Sequence, residues 1–266
     1  MKLALNTVTI QPAPLFTKID ATAAAGFTGI EFHVYEIYEY LIDGGSLADI
    51  KSKLADSGLE IPCMLGFRNW GDLKDHDYQL HLFEARRRLR VCHNLGCPIL
   101  VCSTPMYDTD WSQLHTRFAD LLQIGREENC TPSFEFIGHY ASIKNIADSQ
   151  TMLDRTEDND ATLVLDFFHA WNGGSSVEDI KSLPLNRIAH VHIDDAHPDI
   201  PQGQQDDSHR TLPGHGPIPL ADYVSALKEK GYTGYLSVEL FDPVLQNQDP
   251  FLTAQQARDS AAALLA

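Results

Sequence analysis

Eight times along this chain a short apolar run gives way to a longer amphipathic one, and that alternation constrains the fold more than any single motif. The strand-like runs are KLALNTV (2–8), TGIEFHV (28–34), LEIPCML (59–65), CPILVCS (97–103), PSFEFIG (132–138), ATLVLDF (161–167), RIAHVHID (187–194) and GYTGYLSVEL (231–240). Between and after them the pattern predicts helices: Leu15–Ala25, one from Ser46, Tyr78–Asn94, Trp111–Glu128, Ile143–Arg155, Ser176–Leu183, Leu220–Lys230 and Pro250–Leu265. The SLAD start at Ser46 reads as a capping box with Asp in place of Glu, and Asp110 reads as an N-cap. Glycines 26, 58, 96 and 231 recur where a helix hands over to a strand, the position at which a left-handed cap ends a helix. GFTGIEF and GYTGYLSVEL share an opening, an internal echo of a repeated βα unit.

Eight such units predict an α/β protein: a (β/α)8 TIM barrel, one domain over residues 1–266. A doubly wound open sheet is the competing architecture, but it calls for a Gly-rich phosphate turn after an early strand, and the sequence has none. No run of 18 apolar residues is present, so no membrane span is expected. The opening MKLALNTVTIQPAP turns polar too soon for a signal peptide. Five cysteines (63, 92, 97, 102, 130), without C-x-x-C spacing, read as buried free thiols of a cytoplasmic protein. A net charge of −17 argues against nucleic acid or an anionic membrane as partner.

The chemistry is concentrated in the last four strands. In ATLVLDFFHAW (161–171) both strand faces are largely apolar, so Asp166 ends a strand buried on two sides, where a charge needs neutralising. Alternation turns Ser133 and Glu135 inward on the fifth strand, His190, His192 and Asp194 on the seventh, and Ser237 and Glu239 on the eighth. Glu135, Asp166, His192 and Glu239 then converge on the C-terminal mouth, where this architecture places its active sites. Any one of these acids would serve equally well as a salt-bridged strand end. The three carboxylates gathered together would repel unless a divalent cation neutralised them, and three carboxylates with one imidazole suit Mn, Mg, Co or Zn.

The order FEF, LDFFHAW, HVHIDD and SVELF resembles the xylose isomerase-like barrels of the sugar phosphate isomerase/epimerase family, over essentially the whole chain. That family includes ketose 3-epimerases, inosose isomerases and dehydratases, hydroxypyruvate isomerases and dehydroshikimate dehydratases. The resemblance implies Glu135, Asp166, His192 and Glu239 as metal ligands, His169 as a catalytic-site residue contacting substrate, and Arg210 of HRTLPGHG (209–216) as a donor to a substrate oxygen. Glu135 and Glu239 are the natural acid/base pair for moving a proton on a metal-chelated hydroxy-ketone through an enediolate.

His33, at the end of the second strand, is expected either to face substrate or to serve simply as a residue of the rim. Arg68 and Trp70, after the third, are expected to form an anion contact and a wall. His190 reads as a core residue, and PGHG as a turn holding Arg210 in place. The aromatics of Tyr35–Tyr40 read as a rim that a second subunit could cover. The expected function is a metal-dependent sugar or cyclitol isomerase or epimerase acting on a small carbohydrate-like substrate. The alternatives are a dehydratase of a dehydroshikimate- or inosose-like substrate, an AP endonuclease-like hydrolase and a non-catalytic sugar-binding barrel. The hydrolase would want further ligands and a basic surface, and the binding barrel has no need of two metal-bound glutamates.

Overall fold

The computed structural model describes residues 1–107 and 109–266. Its strands are β1 (Lys2–Asn6), β2 (Gly29–His33), β3 (Met64–Phe67), β4 (Ile99–Ser103), β5 (Thr131–Glu135), β6 (Thr162–Asp166), β7 (Ile188–Ile193), β8 (Asp195–Ala196), β9 (Arg210–Thr211) and β10 (Tyr235–Val238). Eight of them pair in parallel and close in the order β1-β10-β7-β6-β5-β4-β3-β2, with helices between, so the chain is a TIM barrel. The remaining two, β8 and β9, form a short antiparallel ribbon in the connection between β7 and the helix from Leu220.

Two hydrophobic layers follow from strand alternation. Outward residues such as Leu163, Leu165 and Phe134 pack under the helices, while Cys63, Leu65, Val101 and Val164 fill the bore. All five cysteines are free and buried. Several predicted caps are formed: Ser46 and Asp49 bond reciprocally, and Asp110 accepts from the Ser112 amide at 2.9 Å. Gly58 (φ 66°) and Gly231 (φ 78°) end their helices in the left-handed conformation that glycine adopts without strain.

Among the α-helices that escape a reading of the sequence are Val34–Ile42 and Phe167–Asn172. In each the last strand residue is also the residue before the helix, so no turn signal marks the boundary. The Glu36 carboxylate accepts from the His33 amide at 2.8 Å, and that of Asp166 from the His169 amide at 2.7 Å. The aromatics of Tyr35–Tyr40 are carried on the first of these helices, and Tyr38 and Tyr40 pack partly against the core.

Trp70 is not a wall of the mouth. Asn69 adopts φ 61°, and Trp70 folds back into the outer core, fully buried, where its Nε1 donates to the Ser103 carbonyl at 2.9 Å. Its ring packs against Phe118 and Phe134, with centroids 5.8 and 6.1 Å away. Trp70→Ala is expected to cost about 3–5 kcal/mol of stability, read from the denaturation midpoint. A changed KM at unchanged stability would restore the wall.

Candidate metal centre

Strand order explains how four distant residues meet. Neighbouring β10, β7, β6 and β5 deliver Glu239, His192, Asp166 and Glu135 side by side, with Asp166 and His192 in register. All four are buried, and each offers a donor atom within 4.8 Å of the others. His192 Nδ1 lies 3.2 Å from Glu135 Oε1, 3.3 Å from Glu239 Oε2 and 3.5 Å from Asp166 Oδ2.

Each carboxylate has one oxygen tied down by the protein and the other turned toward that nitrogen. Ser103 Oγ donates to Glu135 Oε2 at 3.0 Å, Asn6 Nδ2 to Glu239 Oε1 at 3.0 Å, and the His169 amide to Asp166 Oδ1. Among the described residues, Glu135 Oε1 and His192 Nδ1 have no hydrogen-bond partner, although both are buried. Acceptors gathered around one point, two of them orphaned, fit a cation bound between them. Three oxygens and one imidazole nitrogen make a donor set for Mn, Mg, Co or Zn.

Arg210 enters from the side and is itself fully enclosed. Its Nη1 donates to Asp166 Oδ2 at 2.7 Å, to Glu239 Oε2 at 3.0 Å and to Asp194 Oδ2; its Nη2 donates to His169 Nε2 at 2.9 Å and to Asp207 Oδ1 at 2.8 Å. The rings of Phe168 and Phe241 lie 5.0 and 5.2 Å from the guanidinium carbon. The β8–β9 pairing sets Arg210 opposite Ala196, just past the end of β7.

The PGHG turn is held by Asp195, whose carboxylate accepts from the amides of Gly214, Gly216 and Ile218 at 3.1, 2.9 and 3.0 Å. A side chain at Gly216 would stand 2.0 Å from the Ala196 carbonyl, so only glycine fits there. His215 lies on the exposed outside of this turn.

Burial and crowding shift the site's ionisations in opposite directions. Burial opposes ionisation of Asp166, yet Arg210 and His169 hold its carboxyl below the usual range. Burial pushes Glu239 well up, against the pull of His192 and Arg210, and raises Asp194 likewise with Asp166 adding to the effect. His192 is raised despite burial because Glu31 and Glu239 favour its charged form. His169 is lowered, chiefly by burial.

His33 lies at the rim in a cavity of about 520 Å³ that Tyr35, Arg68, His81 and Phe241 also line. Arg68 is exposed there, and among the described residues its guanidinium makes no hydrogen bond or ion pair. His169 sits on the opposite flank, between Arg210 and His139, with a ring-centroid distance of 5.8 Å to the latter. His190 is buried one layer below His192.

Sequence reasoning missed Asn6, Glu31, Ser103, His139 and Asp207. Glu31 was within reach: it shares the strand parity of His33, and so must point into the bore. Asp207 and His139 lie in connections, where no periodicity fixes a direction.

An eight-stranded parallel barrel with acids and an imidazole gathered at its C-terminal mouth has the layout of a TIM-barrel active site. The model of the family described as "Xylose isomerase-like TIM barrel" matches residues 19–265, and the chain belongs to that family. It is 32% identical over 254 residues to an inosose isomerase of Halalkalibacterium halodurans, covering 91% of this chain and 89% of that one. It is 27% identical over 247 residues to a 3-dehydroshikimate dehydratase of Pseudomonas aeruginosa, covering 91% of this chain but 38% of that longer protein. Among solved structures, the IOLI protein with a zinc atom superposes with a TM-score of 0.93 at 24% identity, covering 100% of this chain and 98% of that one.

Proposed function

We propose that this chain is a divalent-metal-dependent isomerase or epimerase of a sugar or cyclitol ketose, acting in the cytoplasm. The observation that carries the proposal is the inward set of Glu135 Oε1, Asp166 Oδ2, His192 Nδ1 and Glu239 Oε2, each carboxylate held from behind by a protein donor. The inosose isomerase relative supports a polyhydroxylated ketone as substrate.

A divalent ion held by these four residues would act as a Lewis acid, easing loss of a proton from the carbon next to a chelated carbonyl. Glu239 and Glu135 stand at the two ends of the row contributed by β10, β7, β6 and β5. One is therefore placed to take that proton and the other to return one, on the opposite face or the adjacent carbon. Arg210 reaches the inward oxygens of Asp166 and Glu239 and is the candidate donor to a substrate oxygen. His33 and Arg68 would hold the far end of the substrate in the rim cavity. The half-exposed Tyr35 and exposed Ile42, at the two ends of one helix, support self-association through that face.

One observation favours a dehydratase as the second reading. His169 is buried beside the carboxylates with Nδ1 unpartnered among the described residues, a proton carrier that a departing hydroxyl would use. The test is a substrate panel of keto-cyclitols, ketoses and 3-dehydroshikimate. Conversion of a keto-cyclitol or ketose to an isomer without new ultraviolet absorbance is expected. Turnover of 3-dehydroshikimate alone would establish the second reading, and turnover of none would overturn both.

A further inference from the structure

His192 has a second ring nitrogen, and it points away from the carboxylate row into the bore. Nε2 lies 3.0 Å from Oε1 and 3.2 Å from Oε2 of Glu31, and both side chains are completely enclosed. Glu31 rises from β2, which is separated from β7 in the closed sheet by β1 and β10, so the contact spans the interior rather than neighbouring strands. Its other polar neighbours are His190, with Nε2 3.5 Å from Oε2, and Cys63. The described residues place no lysine or arginine in ion-pair contact with it. A carboxylate this deep is costly without hydrogen-bond donors, and among the described residues the donor that reaches both its oxygens is the His192 imidazole.

We propose that Glu31 is a positioning residue for the metal: it keeps the proton of His192 on Nε2, so that the lone pair of Nδ1 faces Glu135, Asp166 and Glu239. The reasoning is one of donors and acceptors. Both Glu31 oxygens accept, so the nitrogen between them carries hydrogen. In a neutral ring the other nitrogen then accepts too. That nitrogen is Nδ1, which faces three carboxylate oxygens with no hydrogen-bond partner among the described residues. In that neutral form, the one that can ligate a metal, the arrangement is unfavourable until a cation stands between them. A carboxylate accepting from the far N–H of a metal-bound imidazole also fixes the ring plane and makes the ligating nitrogen more basic. Glu31 is thus given a role separate from that of the four ligands.

This inference rests on the metal reading, and the experiment separates the two. Zinc affinity of the full chain is measured by competition with a chromophoric chelator for wild type, Glu31→Gln and Glu31→Leu, with circular dichroism as the check on folding. Wild type is expected to bind about one zinc, Glu31→Leu to bind it about 10- to 100-fold more weakly, and Glu31→Gln to fall between, since the amide oxygen still accepts. Nitrogen-15 histidine spectra of zinc-loaded wild type give a second readout that needs no variant at position 31. The His192 ring, assigned by its loss in His192→Asn, should show a protonated Nε2 and a zinc-bound Nδ1.

Affinity of Glu31→Leu within twofold of wild type, or zinc on Nε2, would overturn the role of Glu31 and leave the metal site standing. A second zinc lost on Cys63→Ala would make Glu31 a ligand in its own right and also overturn the proposal. Wild type without zinc would overturn both readings.

Discussion

Exhaustive dialysis against EDTA is expected to abolish turnover, and added Mn or Co to restore it, with about one ion bound per chain. The reason is electrostatic. Glu135, Asp166 and Glu239 turn one oxygen each toward a single point in a buried site, and the fixed positive charge beside them, Arg210, is shared with Asp194 and Asp207. Asp166→Asn makes the test specific to the ligand. Asparagine retains an oxygen for the His169 amide and is as good an N-cap as aspartate, so the helix from Phe167 keeps its start. The charge facing the cation is lost, and metal affinity should fall about tenfold or more at nearly unchanged fold. A metal-free protein fully active after dialysis would remove the basis for the site.

The second large effect concerns the two glutamates. Glu135→Gln and Glu239→Gln are each expected to lower kcat by about 10²- to 10⁴-fold, the range for loss of a positioned acid or base. Both side chains also belong to the donor set, so bound metal must be counted in each variant before the loss is called chemical. Deuterium oxide then separates the reaction types. An isomerase or epimerase returns a proton to carbon, so product and recovered substrate should both gain deuterium and the reaction should run in both directions. A dehydratase instead protonates a leaving hydroxyl, giving an unsaturated, ultraviolet-absorbing product in one direction. One glutamine variant can keep exchange while losing turnover, if the remaining glutamate is the one that abstracts the proton. Ultraviolet-absorbing product with no exchange for any ketose would decide for the dehydratase.

The barrel was legible because alternation within strands and glycine caps between units are local signals. The same parity argument brought Glu135, Asp166, His192 and Glu239 together correctly in space, since each ends a strand whose other face is apolar. It failed where direction depends on a turn. Trp70 follows a left-handed Asn69 and dives into the outer core, which a list of residues after a strand does not reveal. The helices at Val34 and Phe167 were hidden because His33 and Asp166 close a strand and open a helix at once. The contacts of Arg210 were legible only in part. HRTLPGHG marked a turn, but its anchor, Asp195, lies some twenty residues back in the chain and is brought beside it by the β8–β9 ribbon.

That anchor divides the rim into two halves with different evolutionary freedom. On one side, Asp195 clamps three backbone amides, Gly216 tolerates no side chain, and Arg210 is wedged among acids, so a change there disturbs the ligands themselves. On the other, the connections after β2 and β3 present His33, Tyr35 and Arg68 to an open cavity with few fixed bonds. New substrate preferences should therefore be acquired by exchanging residues on the β2–β3 side, while the Arg210 side stays as inherited. A library confined to positions 35, 68 and 69 is the place to look for altered specificity without loss of the metal.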